Sequence, residues 1–137
     1  MKKNKLLSIH KIIMIIATIG HLALTPVHND ALTLLTNTYC GFIMFMFVLT
    51  GLSCLFNATR IGDTKIKSLI VTTVCAAVSI GFGIYLAILY VDGYKFSLEN
   101  FKPEDSMNVL MALILTITVI SSKVVSLVFL GLSKFKK

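Results

Sequence analysis

Residues 107–132 read MNVLMALILTITVISSKVVSLVFLGL, and the only charge among them is Lys123. About 20 apolar residues suffice to cross a hydrocarbon core of roughly 30 Å at 1.5 Å per residue. The segment therefore predicts a membrane-spanning helix with an ammonium inside it. Pro103, Glu104 and Asp105 precede it, a proline for the first turn and two acids for the positive end of the helix dipole. The span is expected over 103–132.

The rest of the chain has the same character. Hydrophobic residues make up 56% and charged residues 14% of 137, against about 45–50% and 25% in soluble domains. Mean hydropathy is +0.89. A soluble fold of this length has too little interior for that apolar surface, so lipid is the expected solvent. Three further spans are read at about 6–25, 31–57 and 66–91, giving a single transmembrane domain over 1–137. Residues 26–30, PVHND, read as a short turn with Asn29 or Asp30 as a helix cap. Asp92 to Lys102 reads as the longest loop, with Tyr94, Phe96 and Phe101 suited to the headgroup region.

The net charge of +7 would suggest nucleic acid in a soluble chain. Its distribution points to membrane orientation instead. One side of the predicted layout collects Lys2, Lys3, Lys5, Lys11, Arg60, Lys65, Lys67, Lys134, Lys136 and Lys137, while the other holds only Lys95 and Lys102. Basic residues stay on the cytoplasmic side, so both termini are expected there. Tyr39, Tyr90 and Tyr94 then fall at the outer interface, where amphipathic rings belong. The fold class expected is an all-α membrane protein, an antiparallel four-helix transmembrane bundle, placed in the bacterial cytoplasmic membrane.

Lys123 is the first candidate for function. At helical spacing it shares a face with Ala112, Thr116, Val119 and Ser126, the smaller and more polar stripe of its span. Leu113, Leu115, Ile117 and Phe129 are left more toward lipid. Helical side chains lean toward the helix N-terminus, so Lys123 leans away from its nearer, cytoplasmic surface, whereas Lys11 on the first helix leans toward that surface. Apart from Glu104 and Asp105 in the first turn of the last one, the predicted spans contain no Asp or Glu. Water must reach the ammonium, or it sheds its proton, or a partner supplies the anion. Insertion of a central lysine costs about 2.5–3.5 kcal/mol, which the apolar residues around it absorb. Thr50 and Ser53 on the second span, with Thr72, Thr73 and Ser79 on the third, lie near its depth. The candidates for binding or an ion path are thus Lys123, Thr116, Ser126, Ser53 and Thr73.

His21 is the outer-side polar candidate, on a face with Ala17, Thr18 and Thr25. His28, Asp30 and Cys40 follow it, but Pro26 interrupts the helix and no ligand spacing is present, so a hydrogen-bonded packing histidine is preferred to a metal ligand. The third span carries two small-residue tracks, Thr73/Ala77/Gly81 and Cys75/Ser79/Gly83/Ala87, on nearly opposite faces. Such spacing lets helix backbones approach closely, and Ala77, Gly81, Ser79 and Gly83 are the helix-packing candidates. Cys40, Cys54 and Cys75 form no C-x-x-C pair and indicate no disulfide scaffold. Hydrolase, zinc-protease and phosphate-loop motifs are missing from the sequence, and no metal or cofactor is expected.

Four short spans joined by basic inner turns resemble the layout of several small bacterial membrane families, including DoxX-like proteins and immunity proteins against pore-forming colicins. The resemblance covers layout alone and carries over no residue. The function expected is a non-catalytic protein that binds or modulates another membrane component, with the lipid bilayer, a membrane protein or further copies of itself as partners and no nucleic acid. The alternative is a small oligomeric channel or transporter in which Lys123 faces an anionic solute or a water path. A membrane enzyme or redox carrier using His21 and the cysteines ranks third.

Overall fold

The structure is a computed structural model that describes residues 3–35, 38–60 and 66–135. They form five helices: α1 (Lys3–Ala23), α2 (Thr25–Leu35), α3 (Thr38–Arg60), α4 (Ile66–Asn100) and α5 (Pro103–Phe135). Stretches of α1 (Lys5–Ala23), α4 (Ile70–Asn100) and α5 (Pro103–Ser133) are long and apolar enough to cross a membrane, while the apolar part of α3, Tyr39–Cys54, is shorter. The outward faces are apolar along their length, with Ile16, Phe45, Val74, Ile88, Ile114 and Val128 all about half exposed or more. In water such a surface would drive aggregation; in lipid it is at no disadvantage. The fold is that of an all-helical protein compatible with several membrane passes.

Four of the helices close a ring. α5 packs against α4 and α1, and α3 packs against the same two from the other side. The core lies where they meet, around Phe47, Leu86, Tyr90, Val109, Ala112 and Val119 in one cluster and Met14, Cys54 and Ala76 in a second.

Two sequence expectations need correcting. The segment 26–30 is helical, not a turn. Proline is tolerated in a first turn, where its missing N–H had no partner to lose, and Pro26 is the second residue of α2. The break falls one step earlier, at Leu24, whose N–H donates to the Gly20 carbonyl (3.0 Å) while its own carbonyl accepts from Val27 (3.0 Å). The second span expected at 31–57 is accordingly divided, residues 31–35 belonging to α2 and 38–57 to α3. α2 packs mainly on α5 and buries Ala31 and His28.

Asp92 to Lys102, expected as a loop, is almost wholly helix. α4 continues through it to Asn100, and its last turns are tied by Ser97 Oγ donating to the Tyr94 carbonyl (2.7 Å) and Asn100 Nδ2 to the Phe96 carbonyl (2.9 Å). Phe96 and Phe101 meet edge to face at 5.7 Å. What stops the helix is Pro103, which disfavours helical geometry in the residue before it. α4 has 35 residues and α5 has 33, so both are about 50 Å long at 1.5 Å per residue and outrun a 30 Å hydrocarbon core. The inner turn expected around Gly62, Asp63 and Lys65 lies outside the described residues.

Candidate functional site

The polar residues inside this apolar bundle are arranged in a seam. α5 supplies its middle. Ala112, Thr116, Lys123 and Ser126 are fully buried and Val119 nearly so, because their spacing places all five on the stripe that faces α1 and α4. Leu113, expected toward lipid, is buried too, at 9% exposure; the stripe is wider than the polar residues alone suggest.

Lys123 is 0% exposed. Its Nζ donates to Ser79 Oγ at 2.6 Å and lies 4.8 Å from the centre of the Phe47 ring. A desolvated cation over an aromatic face gains about 2 kcal/mol or more. Gly51 leaves the room: a Cβ there would stand 3.3 Å from Nζ. One hydroxyl, one ring and one bare backbone thus take the place of the missing carboxylate.

Phe47 is itself held by a glycine. A Cβ on Gly83 would come within 2.8 Å of the Phe47 ring and 2.7 Å of Ile120 Cγ1, so the ring occupies space that any other residue at 83 would fill. On α4, Ser79 and Gly83 are therefore inward, while Thr73, Ala77 and Gly81 are exposed. The two small-residue tracks face opposite ways, and the outer one borders a shallow groove with Tyr39, Val78 and Tyr85. Ser53 is exposed and bonds its own helix at the Leu49 carbonyl (3.3 Å). Thr116 is buried and likewise donates to its own helix, at the Ala112 carbonyl (2.8 Å). Of the ion-path candidates, Lys123 and Ser126 share the interior with Thr116, whereas Ser53 and Thr73 do not.

His21 opens the other half of the seam. Its Nε2 is 2.8 Å from Nε2 of His28, so one ring N–H donates to the other ring's lone pair. His28 Nδ1 is in turn 2.7 Å from the Tyr90 hydroxyl. All three side chains are 2% exposed or less. The His21 ring centre also lies 4.7 Å from that of Phe47, the same ring that Lys123 approaches. His28 stands on α2, outside the spanning segments, and burial pushes its imidazole down to about 4. Tyr90, expected in an outer belt, is a core residue: the hydroxyl has a buried partner and does not need the interface.

At the opposite end of the seam, His10 Nδ1–H donates to the Ser126 carbonyl (2.9 Å), and Ser126 Oγ donates to the His10 carbonyl (2.9 Å). Among the described residues this leaves His10 Nε2 buried with no partner, as is Thr18 Oγ1. Among the described residues no group of three His, Cys, Asp or Glu side chains is placed to hold a metal ion.

No family model matches the chain, and no curated protein or solved structure matches it either. The site must be read from its own geometry.

The sequence does not mark His10, His28, Tyr90 or Phe47 as seam residues: His28 is weighed only as a metal ligand and Tyr90 only as an interface ring. Only His28 left a signal. It follows His21 by seven residues, two helical turns, and once Pro26 is placed in a first turn instead of a break the two rings come near one another. Tyr90 and Phe47 reach the seam from α4 and α3, and nothing local announces that.

Proposed function

We propose that the protein is a four-span membrane bundle with both termini in the cytoplasm of a bacterial cell, and that it is non-catalytic, binding or modulating another membrane component. The observation that carries this reading is the distribution of polarity. Apart from His10 Nε2, Thr18 Oγ1 and Ser106 Oγ, the buried polar side chains of the described residues find partners within the bundle, and what the protein offers its surroundings within the membrane is apolar helix surface with shallow grooves. Tyr39, Ile43, Val78, Gly81, Phe82 and Tyr85 line one groove; Ile84, Ile88, Leu113, Ile117 and Ser121 line much of another. Faces of this kind suit helix-to-helix association in lipid, which proceeds by close packing. The charge distribution along the sequence supports the orientation.

Purification in mild detergent from the native membrane, after brief cross-linking, is the test. A stoichiometric larger membrane protein is the expected companion; homo-oligomers alone would count against the reading. A reporter fused to the C-terminus should be active in the cytoplasm.

One observation favours the second reading, a small oligomeric channel or transporter. The seam contains Lys123, His21, Tyr90 and Ser126 in a region where every polar side chain is disfavoured, and intramembrane ionisable residues commonly mark pathways. Against an open path stands the enclosure of Lys123 by Phe47, Ser79 and the Gly51 backbone.

A further inference from the structure

The seam has two halves that meet at one side chain. On one side Tyr90, His28 and His21 form an unbroken hydrogen-bonded chain of 2.7 and 2.8 Å links, drawn from α4, α2 and α1. On the other, Lys123 bonds Ser79, and one turn further along α5 Ser126 bonds His10. Among the described residues no hydrogen bond joins the halves. The contact they share is the Phe47 ring, 4.7 Å from the His21 ring centre and 4.8 Å from Lys123 Nζ.

A phenol takes and releases protons at its single oxygen, whereas an imidazole can take a proton on one atom and release another elsewhere. Histidine does so readily because its two nitrogens are separate sites. Each link in the outer chain joins two such groups through the atoms that exchange protons. The outer end of the chain also leads toward water: one turn beyond Tyr90, Tyr94 is half-buried, and Asp92 and Lys95 nearby are exposed.

We propose that Tyr90, His28 and His21 form a proton relay running inward from the α2 end of the bundle, with Phe47 as the gate that separates it from Lys123. In a transfer step the Tyr90 hydroxyl gives its proton to His28 Nδ1, and His28 passes its Nε2 proton to the lone pair on His21 Nε2. Tyr90 is reprotonated from the outer side, so one proton enters, one is held at His21, and no bond between heavy atoms changes. Apolar constrictions gate permeation by excluding water, and Phe47 does the same here. With the ring in place, no hydrogen bond among the described residues joins His21 to Lys123. With it displaced, the unprotonated Lys123 amine becomes the next acceptor, and it is reset by releasing that proton toward the opposite end of the bundle, past Ser126 and His10. The ring is confined by Gly83 on α4, which is why a large side chain fits at this crossing. The relay does not depend on the partner-binding reading; a protein that modulates another membrane component can hold it.

The full chain reconstituted in phosphatidylethanolamine and phosphatidylglycerol vesicles tests this. Proton entry is followed with a trapped pH dye under a potassium diffusion potential. Wild-type vesicles are expected to be nearly proton-tight. Phe47→Ala should admit protons several-fold faster while retaining sodium and a trapped anionic dye, and adding His28→Phe should return the rate to the wild-type level. Phe47→Ala vesicles as tight as wild type would overturn the proposal. So would a leak that survives His28→Phe, or one that passes sodium equally. Should Phe47→Ala not hold its fold, Phe47→Leu carries the same three comparisons. Independently, nitrogen NMR of labelled His21 and His28 should show scalar coupling across the shared N–H···N bond in the wild type; two uncoupled rings would overturn the relay.

Discussion

The two ends of the buried seam solve the same problem differently. The histidine end distributes it: three neutral groups from three helices each supply what the next one lacks. The Lys123 end concentrates it, leaving a single group that is cationic when protonated to one hydroxyl, one aromatic face and the space over a glycine. Neutral chains of hydrogen bonds are self-sufficient in a low-dielectric interior, whereas a lone cation is not. The histidine end is therefore satisfied at rest, whereas the Lys123 end is a site with something to gain from a change.

Substitutions can break or sharpen that contrast. The largest effect is expected at the side chain between the two ends. Gly83→Val drives a methyl group into Phe47 and Ile120, and overpacking of this kind costs about 3 kcal/mol; a large fall in the thermal midpoint in detergent checks it.

Acidification is next. Neutral His28 is the form the fold accepts, with its pKa lowered to about 4, while the unfolded chain protonates near 6.5. The stability this provides is fully present above about pH 6.5 and is lost as the pH falls toward 4. The thermal midpoint should drop over that window, by up to about 3 kcal/mol in stability, and the drop should shrink in His28→Gln.

Ser79→Ala removes the one acceptor that Lys123 has among the described residues and should cost about 2 kcal/mol. In the Lys123→Met background the same change should be near neutral. A double-mutant cycle that shows no coupling would remove the 2.6 Å contact from the account. Tyr90→Phe deletes one neutral hydrogen bond and should cost about 1 kcal/mol, less than Ser79→Ala, which is the contrast in its mildest form. Ser53→Ala, on the exposed face of α3, should change stability by less than about 0.5 kcal/mol.

Much of the helical character was readable from residues in order, because it depends on hydropathy and length. Lys123 could be placed inward for the same reason: Ala112, Thr116, Val119 and Ser126 are its neighbours on one helix, and a helix face is local information. The errors share a cause. Pro26 was read as a stop because a proline in a first turn and a proline that ends a helix look alike until the flanking residues are packed. Asp92–Lys102 reads as loop because its charges suggest water, yet charged helix turns extend beyond a membrane without difficulty. Tyr90 was assigned to an interface by residue type, and only the arrival of His28 from α2 explains why it is buried. The histidine chain depends on contacts among α1, α2 and α4, and Phe47 reaches it from α3. No single stretch of sequence contains them.

The central claim is that Lys123 sits sealed inside a helical bundle, away from water. With Cys40, Cys54 and Cys75 replaced, Lys123→Cys presented in sealed vesicles to a membrane-impermeant thiol reagent, from each side in turn, measures this directly. The account predicts no labelling from either face until the protein is unfolded. Prompt labelling of the folded protein would contradict it.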